Sequence, residues 1–160
     1  MPLALFLVLA AASCGFVWLT GETMPARVAS HFDLAGQANG FMPRVAYLLL
    51  MTVVGCGVPV LIAVVGQTLG RARQLRLPNA AYWLAPERRD ATLAFLRLHM
   101  LAMATLLLGF VCYVHLLVVF ANTGRTEGLP GAWFLPGLVV FLGATLAWAL
   151  APLLRFRLPR

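Results

Sequence analysis

Four long stretches of the chain carry no charged residue: 2–19, 45–69, 98–121 and 132–154. They run 18, 25, 24 and 23 residues and together occupy 90 of the 160 positions. Apolar residues follow one another within them without the alternation of a half-buried strand. A hydrocarbon layer ~30 Å thick takes about 20 helical residues to cross, and only a helix satisfies its own backbone over such a run. The pattern predicts an all-α fold, an integral membrane four-helix bundle forming a single membrane domain over 1–160. Polar segments at 20–44, 70–97 and 122–131 join the spans.

Composition agrees. Hydrophobic residues make up 62% and charged residues 11%, against roughly 45–50% and 25% in a soluble domain. There is too little polar surface to cover a soluble core, and too much apolar residue for a disordered chain. Twelve Arg and no Lys stand against five acidic residues, giving +7. A pI near 10.7 suits nucleic acid, but the position of the charge points elsewhere. Linker 70–97 is net +4 and the stretch after 154 is net +3, while 20–44 and 122–131 are each net zero. The positive-inside rule puts the two basic segments in the cytoplasm. Both termini are then cytoplasmic, loop 20–44 faces out, and the basic linker meets anionic lipid of the bilayer rather than nucleic acid. Trp18, Tyr47 and Trp133 fall at outer span ends and Tyr82, Trp83 and Trp148 toward the inner side, as interfacial rings do.

Several features inside the spans carry expectations of their own. Ala10-Ala11-Ala12-Ser13-Cys14 faintly resembles a cleavage site, but no basic residue precedes it and the apolar run continues to Leu19, so the segment reads as a span. Cys14, Cys56 and Cys112 lie in apolar runs and read as small fillers. Gly66 with Gly70, and Gly143 with Ala147, are small-residue pairs that let helices approach. Pro59 should kink its helix, whereas Pro136 falls in a first turn and is tolerated.

Two linkers are more than filler. Loop 20–44 is rich in turn formers: Asp33 to Gly36 suits one turn, and Asn39-Gly40 a second with positive φ. Phe32 and Phe41 are apolar enough to dip into the interface, so the loop should be ordered and packed on the helix ends. Its sequence places Pro25, His31-Phe32, Gly36, Asn39-Gly40 and Arg44 in order before the second span. In this it resembles the small membrane domain of unknown function at the N-terminus of Sdp-type toxin-immunity proteins of bacteria, over roughly Leu3 to Leu69. Ala29 stands where that family often has a proline, and Arg44 where it usually has Lys. The resemblance implies a multi-pass bacterial plasma-membrane protein. Some longer members resemble immunity proteins that protect a cell from a secreted toxic peptide and relay a signal, and carry a further multi-span half that is not recognised in this sequence. In linker 70–97, Pro86 suits a first helical position, and Glu87 and Asp90 favour a first turn. The segment Leu77 to Leu93 thus reads as an interfacial hook followed by a helix start, and the helix can run on into the third span.

Candidate chemistry is sparse. His99 and His115 are 16 residues apart, about 24 Å along a helix, and cannot share a site. His31 and His115 both lie toward the outer face, with Glu22, Asp33 and Tyr113 in range, and are the weak candidates for a metal pair. No metal-binding or nucleophile motif supports them, so the sequence argues for no cofactor, no metal and no catalytic residue. A small transporter subunit is the alternative, and a metal-dependent membrane enzyme a more distant one; the spans show neither midplane charge nor internal repeat. The reading reached is binding, sensing or immunity-like function at the cell envelope. His31, Phe32, Asp33, Gly36, Asn39, Gly40 and Arg44 are the candidates for a peptide or membrane-protein partner on the outside. Tyr82, Trp83, Glu87, Arg88 and Arg89 are the candidates for a cytoplasmic partner or lipid. A homo-oligomer is compatible with both.

Overall fold

The computed structural model describes residues 3–71 and 75–157; Pro2, Arg73 and Arg160, which entered the span and charge readings, lie outside them. Four helices are long and apolar enough to cross a membrane: α1 (Leu3–Gly21), α2 (Arg44–Thr68), α4 (Pro86–Asn122) and α5 (Gly131–Arg155). The short α3 (Ala80–Trp83) precedes α4. As the proline and acidic signals at 86–90 indicate, α4 begins well before its apolar run, with Pro86 in its first turn.

The all-α expectation fails in one place. Between α1 and α2 the chain forms an antiparallel hairpin, β1 (Arg27–Phe32) with β2 (Ala38–Pro43). One turn links the strands, not two. Asp33 Oδ1 accepts the Ala35 and Gln37 N–H groups, both at 2.9 Å, and Gly36 takes φ +80. That closes the reversal by residue 37 and leaves Asn39 and Gly40 inside β2, so the predicted turn there does not form. The register steps between Ala29 and His31 and again between His31 and Phe32, which makes Ser30 and Asn39 extra residues of two small bulges. Gly40 sits opposite His31, where a Cβ would stand 2.9 Å from the histidine Cβ.

Beneath the hairpin, α1, α2 and α4 form the core. One cluster, toward the Arg-rich end, gathers Phe6, Ala10, Cys56, Ala63, Leu101, Ala104 and Leu108; a second, under the hairpin, gathers Val17, Met24, Val28, Tyr47, Leu48, Val118 and Val119. Gly66 lets α2 approach α4, since a Cβ there would come within 2.6 Å of the Met100 Cβ. Gly143 faces open space and does no such work within the chain. Among the described helices and strands α5 packs chiefly on α4, where Phe110 stacks on Phe141, centroids 4.1 Å apart, and its last residue, Arg155, lies over the Trp83 ring of α3 at 5.2 Å. Because α5 starts at Gly131, Pro136 falls in the second turn rather than the first.

Pro59 acts on the turn before it. Its ring crowds the Gly55 carbonyl and it has no N–H to offer that group. The preceding segment, Met51–Cys56, widens to a π-helical turn, and the Gly57 N–H reaches back to Thr52 O. Within this turn Thr52 Oγ1 accepts from Trp18 Nε1 (2.9 Å) and donates to Leu48 O (2.8 Å), joining α1 to α2.

Candidate functional site

Two adjoining features at the hairpin end concentrate the polar groups that a membrane protein must justify. The deeper is His115. Its side chain is 0% exposed, in the third of α4 nearest the hairpin. Nε2 lies 2.8 Å from Thr20 Oγ1 on α1, and Nδ1 lies 3.0 Å from Tyr47 Oη on α2. Thr20 Oγ1 also lies 2.6 Å from the Phe16 carbonyl, to which it donates. One proton arrangement satisfies every group: Tyr47 donates to Nδ1, Nε2–H donates to Thr20, and Thr20 donates to Phe16 O. Phe16 closes the imidazole edge-on and Tyr47 lies nearly parallel to it at 20°. The imidazole is neutral in this arrangement, and three helices are joined through one side chain.

Tyr47 is therefore not the interfacial ring its place in the sequence suggested. It is 5% exposed, and its hydroxyl points inward. Neither Thr20 nor Tyr47 stood out from the sequence as a partner of His115. The usable signal was the histidine itself, an ionisable group inside a span that needs partners; which residues supply them is set by packing across 95 and 68 residues.

The second feature is the hairpin seat. Asn122, at the end of α4, behaves like a short piece of strand: its Oδ1 accepts the Ala29 N–H at 2.8 Å and its Nδ2 donates to Ala29 O at 3.0 Å and to Val118 O at 2.9 Å. This pairs part of the outer edge of β1, an edge that would otherwise need another partner. At the tip, Leu129 N–H donates to Gly36 O at 2.9 Å. Gly128 faces Gly36 with φ +86, so two left-handed glycines meet back to back. Arg44 closes the other end, its Nη1 donating to Met24 O (2.6 Å) and Glu22 O (3.1 Å). Replacing Asn122 with Leu should raise hydrogen exchange at the Ala29 amide by about tenfold or more, one net hydrogen bond being worth ~1 kcal/mol and the unpaired edge adding to it. Unchanged protection would show that the hairpin is held by the apolar contacts alone.

Between the hairpin and the adjoining ends of α4 and α5 lies a crevice of about 320 Å³. Ser30, Phe32, Asp33 and Leu34 form one wall; Val114, Val118, Phe134 and Leu135 form the floor. Leu34 stands fully exposed at the mouth. Asp33 commits one carboxylate oxygen to the turn, and among the described residues the other takes no hydrogen bond.

Of the outer-face candidates, Phe32, Asp33 and Gly36 line this crevice. His31 is exposed on β1 with Nδ1 3.0 Å from Ser30 Oγ, and His115 is engaged by Thr20 and Tyr47 rather than by His31. Asn39 and Gly40 are strand residues, and Arg44 binds backbone carbonyls. At the opposite end Trp83 Nε1 and Asn79 Nδ2 both donate to Phe156 O, at 3.1 and 2.9 Å. Arg88 lies over the Tyr82 ring at 4.0 Å, Arg89 reaches Gly70 O, and Glu87 is exposed in the first turn of α4. Among the described residues no group of three or more His, Cys, Asp or Glu is placed to hold a metal ion, and Cys14, Cys56 and Cys112 are free thiols.

Comparison with known proteins reaches only the first third of the chain. No curated protein and no solved structure matches it. The stretch that does match holds α1, the hairpin and the first half of α2, and so includes Thr20, Tyr47 and the hairpin wall of the crevice but neither His115 nor Asn122: residues 5–55 match the family model of a domain of unknown function, DUF1648.

Proposed function

We propose that this is a multi-pass plasma-membrane protein that binds an amphipathic peptide at the outer face of the cell envelope, in an immunity-like or sensing role. The crevice carries the reading. It has an apolar floor formed by α4 and α5, an apolar lip at Leu34, and a single carboxylate, Asp33, with an oxygen to spare. A ligand with an apolar segment and one cationic or donor group fits that chemistry. The arginine asymmetry supports the orientation, with the hairpin outside and both termini in the cytoplasm. The resemblance of residues 3–69 to the N-terminal part of toxin-immunity proteins supports a peptide as the ligand.

The test uses the protein reconstituted in lipid nanodiscs and a short leucine-rich peptide bearing one terminal lysine and a photoreactive diazirine. Crosslinks should concentrate on Phe134, Leu135 and the hairpin. Asp33→Asn should weaken capture by about tenfold, the scale of one charge-assisted hydrogen bond. Crosslinks spread evenly over the lipid-facing helices, with no effect of Asp33→Asn, would overturn the proposal.

A further inference from the structure

At the end of the bundle opposite the hairpin, two arginines converge on one glycine. Arg89 and Arg97 both belong to α4, and Gly70 lies in the tight turn Leu69–Arg71 that ends α2. Arg89 Nη2 lies 3.3 Å from the Gly70 carbonyl oxygen. Arg97 Nη2 lies where a side chain on Gly70 would go, 2.7 Å from an ideal Cβ. Two guanidinium groups are thereby drawn to one backbone position.

Among the described residues no carboxylate pairs with them. Glu87 and Asp90 are the acidic residues of this segment; both are exposed, and neither pairs with Arg89 or Arg97 among the described residues. Two like charges held together without a counter-charge repel each other, and the arrangement becomes favourable when an anion sits between them. Guanidinium groups bind phosphate oxygens through paired N–H donors, which ammonium groups do not, and the chain has arginine at every basic position. The depth is informative too. Arg97 is the last charged residue before the uncharged run 98–121, and the end of an apolar run on a bilayer-crossing helix is where lipid phosphates lie.

We infer that Arg89, Arg97 and the bare backbone of Gly70 form a clamp for the phosphate of an anionic phospholipid. Gly70 is part of the site because any side chain there displaces Arg97. The clamp joins the ends of α2 and α4 through the lipid, and it is independent of the hairpin crevice.

The experiment is a thermal-unfolding titration of the full chain in detergent with phosphatidylglycerol, phosphatidylcholine or inorganic phosphate. A ligand that binds the folded state raises the unfolding midpoint. Phosphatidylglycerol should raise it, and phosphatidylcholine and inorganic phosphate should not. Arg89→Gln/Arg97→Gln should weaken the apparent affinity for phosphatidylglycerol by about tenfold or more. Arg76→Gln/Arg157→Gln, which removes the same charge from two other positions, exposed as Arg89 and Arg97 are, should leave it unchanged. Gly70→Ala retains both charges and meets only the flexible end of Arg97, so it folds and should also weaken the lipid effect. An equal loss in the Arg76/Arg157 variant would reduce the site to general surface charge and overturn the clamp. An equal rise with inorganic phosphate would overturn the lipid assignment. No rise with phosphatidylglycerol would overturn both.

Discussion

Replacing His115 with Ala is expected to lower the midpoint of thermal unfolding in detergent by roughly 5–10 °C. Two terms add. Emptying a fully buried ring site leaves a cavity at the junction of α1, α2 and α4, at a cost of ~2–3 kcal/mol. The Tyr47 and Thr20 hydroxyls lose a partner each. Interhelical hydrogen bonds in membrane proteins average only ~0.6 kcal/mol, so this second term is about 1 kcal/mol and the cavity term is the larger. That ordering makes a sharper prediction. His115→Phe refills most of the volume and restores no hydrogen bond, and should recover more than half of the loss. Tyr47→Phe and Thr20→Val should each cost ~1 kcal/mol or less. If His115→Phe were as damaging as His115→Ala, the polar bonds rather than the packing would be what holds the three helices. If His115→Ala left the midpoint within a degree of wild type, the junction would contribute nothing to stability.

The second large effect is expected at Gly36. Gly36→Val puts a β-branched residue at φ +80, a strain of order 1–3 kcal/mol. Its Cβ would also point at the Leu129 carbonyl oxygen, only 2.4 Å from the ideal Cβ position. That neighbour is backbone and has no rotamer to move into, so the hairpin tip must lift from the loop between α4 and α5. The Leu129 N–H then loses Gly36 O, and the crevice loses its wall. Leu129 amide protection should fall by about 100-fold, and peptide crosslinking should drop at least as far as in Asp33→Asn. Unfolding of the helices should change little, because Gly36 touches no helix core. Undiminished crosslinking in Gly36→Val would mean that the crevice is not where the peptide binds.

How far the sequence anticipated this structure depends on the distance over which each feature is decided. The four membrane-crossing helices were legible because a continuous apolar run has one way to satisfy its backbone in hydrocarbon. The early start of α4 was legible for a local reason, Pro86 followed by acidic residues. The hairpin was not. Its β1 edge is completed by Asn122, 93 residues away in the chain, and its bulges break the alternation by which a strand is recognised. Asn39-Gly40 is a strong turn signal that lost to the Asp33 carboxylate, which closes the reversal first. Tyr47 shows the same limit: a tyrosine near a span end reads as an interfacial ring until the packing turns it toward a histidine on another helix. At the candidate site Asp33 and Gly36 were picked out by turn chemistry and Phe32 by its apolar ring, with Phe32 and Gly36 also part of the family resemblance. The floor of the crevice was invisible because Val114, Phe134 and Leu135 are ordinary apolar positions until two helices are placed side by side.

The clasp between Asn122 and β1 also sets an order of events during synthesis. Ala29 leaves the ribosome 93 residues ahead of the side chain that completes its strand edge, and Thr20 precedes His115 by 95. The first two helices and the hairpin between them are therefore made with an unpaired strand edge and with hydroxyls lacking their final partner. They wait in that state until α4 is inserted. The insertion of α4 thus closes the β1 edge and the His115 junction in one step, and the Leu129–Gly36 bond and the packing of α5 on α4 come after it. A pause in translation between residues 50 and 115 would hold the nascent chain at its most adhesive, with the edge of β1 open to any strand that meets it.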